Sequence, residues 1–283
     1  MSGQHLPISI PLHPWFQDHH FAGRAVLPAV ETLLLLAREI HTLRPDLDLR
    51  VMEQARFAKF LVVPPDIPEL AALLHWQTEA DGAVTATLQS RVQTKAMSRL
   101  QEHGAVRFPG TPLPDPPDPG VDRQTLSGPI FALPAATIYQ ELVPFGPSYR
   151  SLCGTLRLSS READGTLQAP ALPVTGAVEK ILGSPFPLDG AMHAACVLGQ
   201  RLVDFVPFPV GFARRCVFRP TRPGVRYGTR VRLIHHAPEE LLFDLDIFQA
   251  DGLSCETVSG LRMRDVSGGR IKPPAWIMHA APV

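Results

Sequence analysis

Pro109-Gly110-Thr111-Pro112-Leu113-Pro114-Asp115-Pro116-Pro117-Asp118-Pro119-Gly120 is the stretch that organises this 283-residue chain. Proline lacks an amide donor and fixes φ, so a run this dense forms neither a helix nor a central strand. Residues 109–125 read as an extended, semi-rigid linker. The chain is long for one core, and the linker divides it into residues 1–108 and 126–283.

Before the linker, a short strand at residues 8–12 leads to His19-His20-Phe21-Ala22-Gly23-Arg24-Ala25-Val26-Leu27-Pro28. The run Ala29-Val30-Glu31-Thr32-Leu33-Leu34-Leu35-Leu36-Ala37 then predicts a helix from Pro28 to Leu43, ended by Arg44-Pro45. Pro28 pre-sets its first turn, and Gly23 permits close backbone approach to a ligand. A helix apolar nearly all round suits one wrapped by a curved sheet. Strands are expected at residues 49–60, 70–79, 84–94 and 100–108, with a hairpin at Asp81-Gly82.

The part after the linker repeats this plan. A short helix at 135–142 leads to Phe145-Gly146-Pro147-Ser148-Tyr149-Arg150. Strands follow at 152–159 and 166–169, with Asp164-Gly165 in the gap between them. A second apolar helix spans 188–205, and strands are expected at 213–219, 229–236, 241–249 and 255–264. The repeat is architectural only, since the halves share too little residue-level similarity to prove duplication.

Composition excludes several classes of function. A formal net charge of zero leaves no broad footprint for nucleic acid or an anionic membrane. Cys153, Cys196, Cys216 and Cys255 form no paired C-x-x-C, so they read as reduced core thiols. The most apolar stretch, residues 25–37, contains Glu31 and is too short to span a bilayer. With no evident signal peptide, a cytoplasmic protein is expected.

Two segments carry titratable groups at suggestive positions. His19 precedes the first long helix, where it reads either as a packing residue or as a general base. Asp189 opens the second helix in Leu188-Asp189-Gly190-Ala191-Met192-His193, with His193 four residues on and on the same face. Spacing alone leaves Asp189 equally readable as an acidic cap.

Together these segments resemble a known family. His19-x-x-x-Gly23-x-x-x-x-Pro28 is similar to the first signature of the dehydratase domains of polyketide synthases and animal-type fatty acid synthases. Phe145-Gly146-Pro147-Ser148-Tyr149 resembles that family's Tyr-Gly-Pro-x-Phe motif, and Asp189-x-x-x-His193 its Asp-x-x-x-Gln/His motif. The motifs stand in the family's order, and the resemblance covers nearly the whole chain. It implies an α+β double hotdog, two antiparallel sheets each wrapped around a long central helix. His19 would then come from the first hotdog (1–108) and Asp189 from the second (126–283), facing each other across a substrate channel.

The resemblance also implies a reaction: loss of water from a 3-hydroxyacyl thioester to give a 2-enoyl thioester, with His19 as base and Asp189 as acid. A neutral imidazole suits removal of a weakly acidic α-proton. A carboxyl kept protonated by burial suits donation to departing hydroxide. His193 orients Asp189, a backbone N–H near Gly23 polarises the thioester carbonyl, and Pro28, Phe145, Gly146, Pro147 and Tyr149 shape the site. No metal or organic cofactor is implied. The partner is an acyl carrier protein whose phosphopantetheine delivers the substrate, and a homodimer is plausible by analogy.

The chain departs from the family pattern at Phe145, which lacks the usual tyrosine hydroxyl, and at Tyr149, which keeps an aromatic ring. Arg214, Arg215, Arg219, Arg222, Arg226, Arg230 and Arg232 form either solvated strand faces or a docking surface for an acidic carrier protein. Two alternatives stand beside the dehydratase: a product-template-type cyclase using the same pair, and a non-catalytic hotdog scaffold.

Overall fold

The computed structural model describes residues 3–93, 98–117, 126–172 and 176–278. The first half comprises β1 (Gln4–Pro11), a 3₁₀ turn (Pro14–Asp18), a small hairpin of β2 (His20–Phe21) and β3 (Arg24–Ala25), α1 (Ala29–Leu43), β4 (Val51–Phe57), β5 (Glu69–Thr78), β6 (Val84–Gln93) and β7 (Ser98–Phe108). The second half opens with β8 (Phe131–Pro134) and α2 (Ala135–Thr137), which continues as a π-turn (Ile138–Leu142). A 3₁₀ turn (Pro147–Tyr149), β9 (Leu152–Leu158), β10 (Glu162–Gln168), α3 (Ala177–Leu182) and α4 (Phe186–Gln200) follow. The half ends with β11 (Phe208–Val217), β12 (Arg226–Ala237), β13 (Glu240–Phe248), β14 (Ser254–Arg264) and α5 (Ala275–Met278).

The architecture is a double hotdog of the α+β class. Its two expected sheets are joined edge to edge into one antiparallel sheet of 12 strands, ordered β1-β5-β6-β7-β4-β11-β14-β13-β12-β10-β9-β8. The join is β4 against β11, where Phe212 pairs with Ala55 and Arg215 with Met52. Each long helix lies in the concavity of its own half. On α1, Leu33, Leu36, Ala37 and Ile40 are fully buried, and every residue of α4 is buried. Burial of a leucine contributes about 1.5–3 kcal/mol, so these two helices anchor the halves.

Several boundaries differ from expectation for physical reasons. β1 starts four residues earlier than residue 8 because its whole length pairs with β5, from Gln4↔Trp76 to Pro11↔Glu69. Asp164-Gly165 lies inside β10, at a register shift against β9. The turn falls just before it, where Ser159 Oγ accepts the amides of Arg161 (3.3 Å) and Glu162 (3.1 Å). Glycine within a strand here marks a bulge, not the turn. The second helix begins at Phe186 and ends at Gln200, so 201–205 are not helical. β8 and α3 have no counterpart in the expected elements.

Of the expected linker, residues 109–117 have no regular secondary structure, and 118–125 lie outside the described residues. The arginine run does not gather on one face. Arg215 is buried in a two-pronged bond to Glu256 (2.7 and 3.1 Å), and Arg230 is buried against Asp164 and Glu162. Arg219 donates to the Ser254 carbonyl at 2.8 Å. A docking surface built from all seven arginines is therefore not formed, because these three hold strands together.

Candidate active site

Between the two helices lies a cavity of about 410 Å³, lined from the first half by His19 and from the second by Asp189 and His193. Its walls are mainly apolar, with Leu27, Phe145 and Met192 among them.

His19 sits at the end of the 3₁₀ turn, as its C-cap. Its backbone exchanges a bond with Val26, whose amide donates to the His19 carbonyl at 2.9 Å. The ring completes the attachment, with Nδ1 3.1 Å from the Val26 carbonyl oxygen. A carbonyl can only accept, so Nδ1 carries the hydrogen and Nε2 keeps its lone pair. Burial pushes the His19 pKa down to about 4, although the Asp189 carboxylate acts the other way. The imidazole is therefore neutral near pH 7.

The Phe-Gly-Pro segment holds His19 from the opposite half. Phe145 stacks on its ring at 4.3 Å, and Tyr149 meets it edge-on at 5.2 Å. The segment is tied down by Asp18, the residue before His19. The Gly146 amide donates to the Asp18 carbonyl at 2.7 Å, and the Ser148 amide donates to its Oδ2 at 2.9 Å. A Cβ on Gly146 would overlap the Asp18 side chain, so only glycine permits this approach. Pro147 starts the short turn that places Tyr149 against both His19 and Phe186.

Asp189 stands in the first turn of α4, yet its side chain does not cap the helix. Its Oδ2 instead lies 3.0 Å from His193 Nε2, one turn along the same face. The two atoms are buried and badly aligned, so neither closes a conventional hydrogen bond. The far side of His193 meets Tyr139, whose hydroxyl is 3.3 Å from Nδ1. Tyr139 Oη also accepts the Leu152 amide at 2.8 Å.

The structure thus brings His19, Asp189, His193 and Phe145 to one cavity, with Gly146, Pro147 and Tyr149 behind them. Gly23 and Pro28 do not line the cavity. Gly23 occupies the tip of the β2–β3 hairpin with φ +76°, next to Ala22 at φ +49°. The turn, not ligand approach, requires glycine here. Pro28 is the N-cap of α1, its carbonyl receiving Thr32 N–H and Oγ–H. Sequence reading assigned no role to Asp18 or Tyr139. The signal for Tyr139 was a polar-tipped aromatic on a buried short helix, which needs a partner. Among the described residues no three His, Cys, Asp or Glu side chains cluster as a metal site would require, and no helix is long and apolar enough to cross a membrane.

Comparison with known proteins agrees with this architecture. Residues 131–271, about half of the chain, match the family model described as polyketide synthase dehydratase N-terminal domain. In this chain the matched region is the second half, carrying Phe145, Asp189 and His193 but not His19. No curated protein sequence matches. The dehydratase domain of a mycocerosic acid synthase-like polyketide synthase is similar in structure, with TM-score 0.72 and 13% identity over 94% of this chain and 92% of that one. A trans-AT polyketide synthase dehydratase domain from Brevibacillus brevis gives TM-score 0.70 and 16% identity over 94% of each chain. The dehydratase domain of RzxB from Pseudomonas fluorescens gives 0.69 and 16% over 92% and 94%. At such identities the structural likeness establishes the double hotdog fold. The matched model, spanning the half that holds Asp189 and the Phe-Gly-Pro segment, places this chain in the polyketide synthase dehydratase family.

Proposed function

We propose that the protein removes water from 3-hydroxyacyl thioesters carried on the phosphopantetheine of an acyl carrier protein, giving 2-enoyl thioesters for polyketide assembly. The observation that supports it most is a neutral His19 with a free Nε2 in the same apolar cavity as the Asp189 carboxyl. In the proposed step, His19 Nε2 takes the proton from C2, the C–H electron pair becomes the C2=C3 bond, and the C3–O bond breaks. Asp189 gives its proton to the departing oxygen, which leaves as water. Transfer of the proton from the imidazolium to the carboxylate then restores both groups. Acid and base suffice for this elimination, so the proposal includes no metal or organic cofactor. The apolar walls accept an acyl chain and exclude bulk water, which strengthens the charge interactions at the pair.

The test is incubation with a 3-hydroxyacyl group on pantetheine or on a carrier protein, with the enoyl product followed by its absorbance or mass. Wild-type turnover is expected, and His19→Ala and Asp189→Asn should each lose about 10²-fold or more in kcat. Equal turnover by either variant rules out the assignment of these groups.

A further inference from the structure

We propose that Tyr139 is a positioning residue that sets the tautomer of His193, and through it the group that His193 presents to the Asp189 carboxyl. This inference rests on the dehydratase reading for its kinetic consequence, but not for its structural one.

Counting protons carries the inference. A phenol has one hydrogen to donate and two lone pairs to accept with. At Tyr139 one lone pair is taken by the Leu152 amide at 2.8 Å. The hydroxyl hydrogen then has His193 Nδ1, at 3.3 Å, as its acceptor. Nδ1 must therefore be the bare nitrogen, and Nε2 carries the hydrogen on the side where Asp189 Oδ2 lies 3.0 Å away. In the other tautomer the Tyr139 hydrogen would be buried without an acceptor, and that cost favours the bare Nδ1.

The packing keeps this chain of contacts in place. Tyr139 is buried, and its ring meets His193 edge-on at 5.8 Å. Burial also holds the phenol well above its ordinary pKa, so it stays a donor at any working pH. The Leu152 amide is fixed at the start of β9, which makes the hydroxyl position a property of the sheet. Phe145, whose ring is 5.1 Å from His193, has no polar atom to offer. Tyr139 is thus a phenol that reaches His193, at the nitrogen opposite the one beside Asp189. The π-turn at Ile138–Leu142 rotates its side chain into that place.

Two measurements test the proposal. In ligand-free protein, ¹⁵N shifts of the His193 ring should show a protonated Nε2 and a bare Nδ1. Tyr139→Phe, which removes only the hydroxyl, should convert this to a tautomer mixture. A wild-type ring protonated at Nδ1, or an unchanged tautomer in the variant, overturns the proposal. In turnover assays Tyr139→Phe should lower kcat about tenfold with KM unchanged, the size expected for one lost hydrogen bond. In the His193→Gln background the same change should lose most of its effect, because an amide has no tautomer to set. An equal loss in both backgrounds marks Tyr139 as merely structural and overturns the proposal. The NMR measurement needs no substrate. Should no 3-hydroxyacyl thioester turn over, it still decides the role of Tyr139, while the dehydratase reading alone fails.

Discussion

His19 shows how a residue's surroundings set its chemistry. A free histidine titrates near pH ~6.5 and would be partly charged in the cell. Here burial outweighs the attraction of the Asp189 carboxylate, and the pKa falls to about 4. If His19 is the base, the acid limb of the kcat/KM profile should lie near pH 4, since protonation below that value removes the lone pair. An acid limb at pH 6–7 would show that another group titrates. At Asp189 the decisive fact is one of direction. Its place in the first turn of α4 suits a cap, yet its carboxyl turns to His193, with Oδ2 3.0 Å from Nε2.

Elements matter here through what they press against. The Phe-Gly-Pro segment is a clamp, and its strength depends on Gly146 lying against Asp18. Gly146→Ala should push the segment off, lowering stability by roughly 1–3 kcal/mol and lowering kcat as the His19 ring loses its stack. Thermal denaturation and turnover of the same sample check both effects. On α1, Glu31 lies in the first turn, where the helix dipole favours a carboxylate. Burial wins, helped by Asp189 and Glu179 and opposed by Arg38, and raises its pKa to about 7. The Trp15 indole N–H and the Tyr149 hydroxyl, both buried, face it without closing hydrogen bonds. The folded state therefore resists ionising Glu31, and stability declines as pH rises from about 4.5 through 7. Glu31→Gln removes that term. It should stabilise the protein at pH 8 by roughly 1–3 kcal/mol, with the difference gone by pH 4.5.

The molecule as a whole is one sheet with two concave faces, each filled by a helix. Because β4 and β11 join the halves within the sheet, a single unfolding transition is expected, measurable by calorimetry. Arg215, on β11 at that join, is buried against Glu256. Arg215→Met strands the Glu256 carboxylate and should cost about 3–5 kcal/mol. Replacing both by apolar residues should recover most of that loss. Two separate transitions in wild type would instead show that the halves fold independently.

Much of this was legible from residue order. The two helices were readable as buried because runs such as Leu33–Leu36 leave no wet face, and the Asp81-Gly82 turn was readable because its backbone needs a glycine (φ +85° at Gly82). Asp164-Gly165 misled for the same reason: glycine marks a bulge as well as a turn, and only cross-strand pairing distinguishes them. His19 and Asp189 could be nominated by residue type and motif spacing, which are local. Their meeting in one cavity, the clamp of Asp18 on Gly146, and the contact of Tyr139 with His193 join residues 54 to 170 positions apart. Such pairings depend on how the sheet curves around its helices and on the β4–β11 join, and no periodicity within a segment encodes them.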